Sequence, residues 1–167
     1  MSKVIWDKPT RLFHWFIAIP VLCNFILEGG EKPHRFLGYV AFGGVIARII
    51  WGLLAKNESS FFRFPLRPHQ VMAYIKCLKT KNSTPYIGHN PLASWAYLFI
   101  WLLVLTLGVT GYMMGLDAYW GVEWLENLHG LLSKTLMGFV FLHFIGIIFD
   151  SFKFKRKTWL AMINGKK

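Results

Sequence analysis

The residues best suited to chemistry in this sequence are two histidines, His129 and His143, which lie fourteen positions apart in an apolar stretch. In an α-helix, fourteen residues return to within about 40° of the same face and advance by roughly 21 Å. No single metal ion could contact both imidazoles at that separation. The spacing suits two stacked cofactors, one near each end of a helix that crosses a membrane.

The composition favours a membrane protein. Hydrophobic residues form 54% of the 167 and charged residues only 16%, whereas soluble domains carry about 25% charged residues. Only helices satisfy their backbone groups internally when they cross lipid as single segments. The sequence therefore predicts an all-α integral membrane protein, a single domain over residues 1–167, with four transmembrane helices at approximately 11–27, 36–54, 92–116 and 128–152.

Basic residues lie mainly on one side of these four segments. Three are near the N-terminus, six are in the connector between the second and third segments, and six are in the tail from Lys153, against only Lys32 and Arg35 on the other side. The positive-inside rule therefore predicts that both termini and the connector face the cytoplasm. Because the basic residues flank the membrane in three separate places, we read the net charge of +11 as a topology signal and expect no nucleic-acid partner.

Two more histidines match the first two in depth. His14 lies one turn inside the cytoplasmic start of the first segment, level with His143, and His34 opens the second segment from outside, level with His129. Histidines inside a membrane are costly and functional by default. Two transverse pairs from different helices are what a haem needs when imidazoles fill both axial positions. We therefore predict a bundle that encloses two haems, with His14 and His143 on the inner iron and His34 and His129 on the outer iron.

The haem type and its charge partners follow from other residues. The sequence contains no Cys-x-x-Cys-His motif for covalent attachment, so both haems are expected to be b-type. Arg48 lies fourteen residues after His34 and could pair with a haem propionate, although it could instead snorkel to the interface. Arg11 carries the same propionate prediction. Glu28, fourteen residues after His14, is either a proton-handling carboxylate or an exposed helix end.

The connector and the second outer turn carry weaker signals. Apolar residues at helical spacing predict a short interfacial helix at approximately 69–79, and His69 is expected to be solvated. The outer turn at residues 118–126 mixes aromatic and acidic residues, which fits either membrane-interface anchoring or docking of a periplasmic partner.

Several motifs in this sequence resemble the bacterial cytochrome b561 and Ni-Fe hydrogenase-type b-cytochrome family, which is similar also to the membrane subunit of formate dehydrogenases. The resemblance covers essentially the whole chain. The matching stretches are residues 4–15 (VIWDKPTRLFHW), 34–39 (HRFLGY), 48–52 (RIIWG), 86–92 (YIGHNPL), 128–130 (LHG), 142–143 (LH) and 161–167 (AMINGKK).

The resemblance implies a four-helix bundle with two b haems in a bacterial inner membrane, carrying electrons between quinone and a redox partner, and its ligand positions fall on the same four histidines. It also directs attention to His89 and Asn90 as quinone contacts. A quinone carbonyl needs hydrogen-bond donors and its reduction needs protons, which these residues could supply. The alternative for Asn90 is helix capping, since Asn-Pro often opens a helix.

We therefore expect electron transfer between the membrane quinone pool and a periplasmic redox protein, such as a c-type cytochrome, in either direction. An alternative is a superoxide oxidase that reduces quinone, but superoxide would need a positive outer surface, and that face holds more acidic than basic residues. A second alternative is a haem-free membrane adaptor or transporter, which leaves the matched histidine depths unexplained.

Overall fold

The computed structural model describes residues 4–27, 31–80, 86 and 88–166. Glu28 lies outside these residues. Within them the chain forms α-helices joined by turns and short 3₁₀ segments. In chain order the helices are α1 (Lys8–Asn24), α2 (Lys32–Leu54), α3 (Pro68–Leu78), α4 (Pro91–Met113), α5 (Glu123–Lys153) and α6 (Ala161–Asn164).

Three of these helices are long and apolar enough to cross a membrane, namely α2, α4 and α5. Helix α1 has 17 residues, which puts it at the short end of the range that spans hydrocarbon. The sequence predicted a span in that place as well, at residues 11–27. The chain is thus an all-helical membrane protein, and a fourth span formed by α1 stays a prediction.

The helices begin earlier than their apolar segments because polar caps and prolines set their starts. The Asp7 side chain accepts a hydrogen bond of 3.0 Å from the Thr10 amide and so caps α1, and the Asn90 side chain caps α4 through the Ala93 amide at 2.8 Å. Proline occupies one of the first two positions of α1, α2, α3 and α4, where its missing N–H costs nothing. Helix α5 begins five residues before the predicted 128 because Glu123 and Glu126 suit its first turn.

The core of the bundle lies between α2 and α4. The closest helix packing joins α1 to α2, α2 to α4, and α4 to α5. Small residues allow this approach, since a Cβ at Gly44 of α2 would lie 3.0 Å from the Ile17 side chain of α1. The buried apolar residues at the centre are Ala41, Val45, Phe64, Trp101, Leu103, Val104 and Leu136.

Helix α5 keeps most of its apolar surface uncovered. Leu131, Phe141 and Phe152 are 63%, 65% and 81% exposed. A soluble protein would rarely leave so much contiguous apolar surface in water. Such side chains fit a helix whose outer faces contact lipid.

The connector between α2 and α4 is held against the end of α5. The Lys153 ammonium donates to the carbonyl oxygens of Leu78 and Thr80, at 2.9 and 3.2 Å. The Asp150 carboxylate binds Arg156 through two hydrogen bonds, and Arg156 in turn donates to the Tyr86 carbonyl at 3.3 Å. Helix α3, expected at 69–79, lies at Pro68–Leu78 within this connector.

The tail after α5 returns to the start of the chain. Val4 and Lys166 form an antiparallel backbone bridge, and the amides of Ile5 and Trp6 both donate to the Gly165 carbonyl. The Trp15 indole N–H adds a hydrogen bond of 3.1 Å to the Met162 carbonyl. The two ends of the described chain therefore lie on the same side of the bundle.

Asp7 connects three parts of this side, since its second carboxylate oxygen accepts from the Trp51 indole and from Asn57, at 3.1 and 2.7 Å. Burial alone would raise the pKa of Asp7, but hydrogen bonds from Thr10, Asn57 and Trp51 lower it from 3.8 to about 2. A carboxylate with a lowered pKa stabilises the fold above the unfolded pKa, and this stabilisation is lost as the pH falls toward the folded pKa.

We therefore predict that Asp7→Asn lowers the thermal midpoint of the detergent-solubilised protein at pH 7. Asparagine still caps α1, so the loss comes from the charge-assisted bonds. Circular dichroism melts should show the gap to the wild type closing between about pH 4 and pH 2. Asp117→Asn, at an exposed position, is the control and should melt with the wild type, and a gap that persists unchanged at pH 2 would contradict this account.

Candidate functional site

Four histidines from three helices face one another in two pairs. His14 of α1 and His143 of α5 have ring centres 6.4 Å apart with an angle of 47° between the rings. His34 of α2 and His129 of α5 also have ring centres 6.4 Å apart, with an angle of 60°. Since the α5 members are fourteen residues apart, the two pairs occupy levels roughly 21 Å apart along that helix.

The separation within each pair fits a metal ion between the rings. A metal–imidazole bond is about 2.0 Å long, and each ring nitrogen lies about 1 Å from its ring centre, so two axial imidazoles on one ion have centres roughly 6 Å apart. Helix α5 approaches α1 and α2 through these rings, while its close packing is with α4. The residues present therefore fit a planar group that takes imidazole on both faces, as haem b does.

The outer pair, His34 and His129, has its ring nitrogens oriented by hydrogen bonds. His34 Nδ1 lies 2.7 Å from the Leu27 carbonyl, and because a carbonyl only accepts, Nδ1 carries the proton. The Thr110 hydroxyl donates its one proton to the Thr106 carbonyl at 2.9 Å, so it accepts the bond of 2.8 Å from His129 Nδ1. Both rings are thus left with an unprotonated Nε2, the state in which imidazole binds a metal.

A cleft opens beside this outer pair between α1, α2, α4 and α5. Gly38, Gly108 and Gly111 line the cleft, and a Cβ at Gly111 would lie 3.3 Å from the His129 ring, so the backbone of α4 comes close to the outer pair there. Arg35 borders the cleft and is the only cation among its lining residues in the described chain. The remaining lining residues are Val21, Asn24, Phe25, Tyr39, Ala41, Val104, Leu107, Ser133 and Leu136.

The inner pair, His14 and His143, joins a group of aromatic rings. Tyr97 contacts His143 edge-on, with ring centres 6.0 Å apart, and His89 lies 4.7 Å from Tyr97. Trp6 and Phe64 flank His89 at 4.5 and 4.6 Å. Ring contacts thus run from the connector side of the bundle to the inner histidine pair.

Arg48 lies inside the bundle beside this aromatic group. It is only 4% exposed, and its Cζ lies 5.4 Å from the ring centres of both Phe61 and Trp101. Nη2 donates to the Ser59 carbonyl at 2.9 Å, while buried Nη1 has no hydrogen-bond partner among the described residues. The guanidinium thus turns toward the interior, and a buried donor of this kind calls for an acceptor.

The other predicted site residues have protein partners. Arg11 Nη1 donates to the Ile163 carbonyl at 2.6 Å, which ties α1 to the tail, and its propionate role stays a prediction. The Asn90 side-chain oxygen caps α4, so only its amide nitrogen is left to face a ligand. His89 lies next to it within the aromatic group, whereas His69 is exposed.

Three further residues belong to the site and were not predicted from the sequence, namely Thr110, Arg35 and Tyr97. Arg35 directly follows a predicted ligand, but it was counted only for topology. Thr110 and Tyr97 lie on α4, where hydropathy identifies the span and leaves the inward face undefined. Projecting α4 as a helical wheel would have placed Tyr97 near the buried Trp101, since they are four residues apart. Thr110 lies nine residues after Trp101, about 180° around the helix, so the same projection would not have found it.

Long apolar helices and paired imidazoles spaced for a metal define a class, the membrane proteins that carry b-type haem. The chain belongs to the prokaryotic cytochrome b561 family, whose sequence pattern matches residues 5–165. This is a family of haem-binding membrane proteins that serve electron transport.

Relatives of the chain carry a more specific name. A protein of Cupriavidus necator described as a probable Ni/Fe-hydrogenase B-type cytochrome subunit is 30% identical over 165 residues, covering 81% of this chain and 67% of its own length. Proteins of the same description from Azotobacter vinelandii and Bradyrhizobium diazoefficiens are each 23% identical, covering 75% and 98% of this chain and 65% and 85% of their own lengths. The chain spans about two thirds of the length of the first relatives it matches. No solved structure gives a significant match.

Proposed function

We propose that this protein carries electrons across a bacterial inner membrane, between the quinone pool and a periplasmic redox protein, through two b haems. The observation that carries this proposal is the presence of two imidazole pairs, each with ring centres 6.4 Å apart, at the two ends of one bundle. Helix α1 serves as the fourth span, and the paired ends of the chain face the cytoplasm, where the basic residues concentrate.

Each haem is held by residues from two helices. His14 and His143 would hold the inner haem, and His34 and His129 would hold the outer one. Bound there, haem b supplies a one-electron iron couple whose potential depends on ligands, hydrogen bonds and burial. The buried guanidinium of Arg48 suits an inner propionate, and Arg35, which borders the outer cleft, suits an outer one.

The outer end of the bundle fits a protein partner with a positive surface. The exposed acidic residues there are Glu31, Asp117, Glu123 and Glu126, against Lys32 and Arg35. Trp120 and Trp124, 80% and 57% exposed, lie among them. Charge complementarity of this sort accelerates association with a cationic redox protein, such as a c-type cytochrome. The name of the relatives makes a hydrogenase-type catalytic protein the other candidate for this partner.

The same charges weigh against the superoxide oxidase alternative, because an acidic entrance repels the superoxide anion. A haem-free adaptor or transporter would not need imidazole rings spaced to hold a metal ion between them, so that alternative leaves the ring spacing unexplained. No observation favours either alternative over electron transfer.

The quinone site belongs on the connector side, beside His89 and Asn90. His89 is linked to His143 through Tyr97 by ring contacts, which brings a quinone at His89 close to the inner haem level. Oxidation of a quinol releases protons, and an imidazole near the interface can accept one. The Asn90 amide can donate to a quinone carbonyl while its oxygen continues to cap α4.

The first test is the haem content of the purified protein. We expect two non-covalent b haems per polypeptide in the wild type. Each of four single variants should retain one haem, because each removes one ligand: His14→Ala, His34→Ala, His129→Ala and His143→Ala. The pyridine haemochrome assay and the reduced-minus-oxidised spectrum give the count and the spin state.

His69→Ala is the matched control, since His69 is exposed, and it should retain both haems. Circular dichroism identifies any variant that has lost its helices. A wild type with one haem, or none at full helicity, would overturn the ligand assignment.

A second prediction concerns Thr110, which orients His129. Thr110→Val removes the acceptor for His129 Nδ1–H and so makes the imidazole a weaker donor to iron. The outer haem potential should rise by roughly 20 to 40 mV, because a neutral hydrogen bond contributes about 1 kcal/mol and about 59 mV corresponds to a tenfold change for one electron. Redox titration measures this, with the inner haem as internal control. Thr110→Ser, which keeps the hydroxyl, should restore the potential, and equal shifts of both haems would argue against the assignment.

A third prediction tests the quinone site by substitutions that preserve the fold. Asn90→Asp keeps the cap of α4 but replaces the donor to a quinone carbonyl with an acceptor, so the concentration of oxidised quinone that halves the rate of haem reduction should rise. His89→Gln keeps the size but not the proton acceptor, so the maximal rate should fall by about a hundredfold. Stopped-flow reduction by a soluble menaquinol analogue measures both, with His69→Gln as control. Wild-type kinetics in both variants would move the quinone site elsewhere.

A further inference from the structure

A second pocket lies on the outside of the bundle, where α5 ends. Seen down the α5 axis, Ile148 and Phe152 are turned about 140° and 180° away from His143, so this pocket faces away from the inner histidine pair. It is lined by Ile147, Ile148, Ser151 and Phe152 of α5 and by Lys155, Arg156, Lys157 and Trp159 of the segment that follows.

One side of the pocket is apolar and continues the lipid-facing surface of α5. Ile148, Phe152 and Trp159 are 56%, 81% and 59% exposed. Since the last turns of α5 lie where the long helix leaves the hydrocarbon, these side chains are at acyl-chain depth and Trp159 is at the interface, where tryptophan is enriched.

The other side of the pocket is cationic. The Arg156 guanidinium is neutralised by the Asp150 carboxylate, with hydrogen bonds of 2.7 and 2.5 Å. Lys155 and Lys157 are exposed, and neither ammonium has an ion pair or a hydrogen bond within the described chain. Two uncompensated charges therefore border an apolar surface at the membrane boundary.

Lys155 occupies a backbone position that would suit glycine better. Its φ is +48°, and the Arg156 amide closes the end of α5 by donating to the Ser151 carbonyl at 3.2 Å. Helices that end in this way usually have glycine at the left-handed position, because a Cβ is disfavoured there. The geometry of the helix end thus does not account for the lysine.

We propose that this pocket binds one anionic phospholipid, with its phosphate at Lys155 and Lys157 and an acyl chain along Ile148 and Phe152. Basic pockets next to spanning helices recognise anionic head groups through such charges, and the adjoining apolar surface selects a lipid over a soluble phosphate. The proposal rests on the membrane location of α5 and not on the haem assignments.

The test is native mass spectrometry of the full-length protein, as purified, with phosphatidylglycerol or phosphatidylcholine of the same acyl chains. We expect preferential retention of one phosphatidylglycerol. The double variant Lys155→Gln with Lys157→Gln should weaken this binding roughly thirtyfold, with little change for phosphatidylcholine. The matched control, Lys76→Gln with Lys79→Gln, removes the same charge from exposed positions in the last turn of α3 and directly after it and should bind as the wild type. Equal losses in both double variants would overturn the proposal in favour of general charge attraction.

Lys155→Gly separates the lysine's effect on the fold from its effect on the lipid. Without lipid, this variant should melt at a higher temperature than the wild type, because glycine relieves the left-handed backbone. It should also bind phosphatidylglycerol more weakly. Because a misfolded variant would not melt at a higher temperature, weaker binding together with a higher melting temperature assigns the loss to the missing lysine. Inorganic phosphate should not compete with the lipid, and competition at comparable affinity would assign the site to phosphate. Unchanged lipid binding in Lys155→Gly would remove Lys155 from the site.

Discussion

The separation between imidazole rings is the constraint on which this bundle depends. Helix α5 packs closely on α4 but approaches α1 and α2 through ring pairs whose centres are 6.4 Å apart. A bundle that packed only to remove voids would close this gap with larger apolar residues. Gly111 instead leaves room for the His129 ring, and the hydrogen bonds of His34 and His129 fix which nitrogens face the space between the two rings. The helices thus keep a space between the paired rings, and α5 gives up close packing against α1 and α2.

The polar anchors that support this open arrangement are concentrated on the connector side. Asp7 joins the start of α1 to the end of α2, and Asp150 joins the end of α5 to the connector through Arg156. These bonds lie outside the histidine levels, so they hold the helix ends without filling the space between the rings. Arg48 differs from these anchors because it lies inside the bundle. It is a cation that is only 4% exposed, between the anchors and the aromatic group around His89.

Much of this arrangement could be predicted from the sequence, because hydropathy and the fourteen-residue period act over whole helices. These signals gave the membrane class, α2, α4 and α5 as spans, and which histidines face each other. The helix starts could not be read from apolar residues, since Asp7, Pro9 and Asn90 determine them. Thr110 and Arg35 could not be predicted as site residues, because their importance depends on a neighbour across the bundle. The tail was recognised only through a resemblance, since an isolated bridge such as that of Val4 with Lys166 leaves no periodic pattern.

The return of the tail to the start of α1 also bears on how the protein is made. Val4, Trp6, Arg11 and Trp15 each bond to a residue within 162–166, so these contacts of α1 and the segment before it wait for a segment that is translated long afterwards. Until that segment emerges, α1 has α2 as its main neighbour in the membrane. His143, the residue of α5 that faces His14, is also translated late, so the side of α1 that carries His14 stays uncovered through most of translation. A large planar group therefore has time to enter before α5 and the tail complete the bundle.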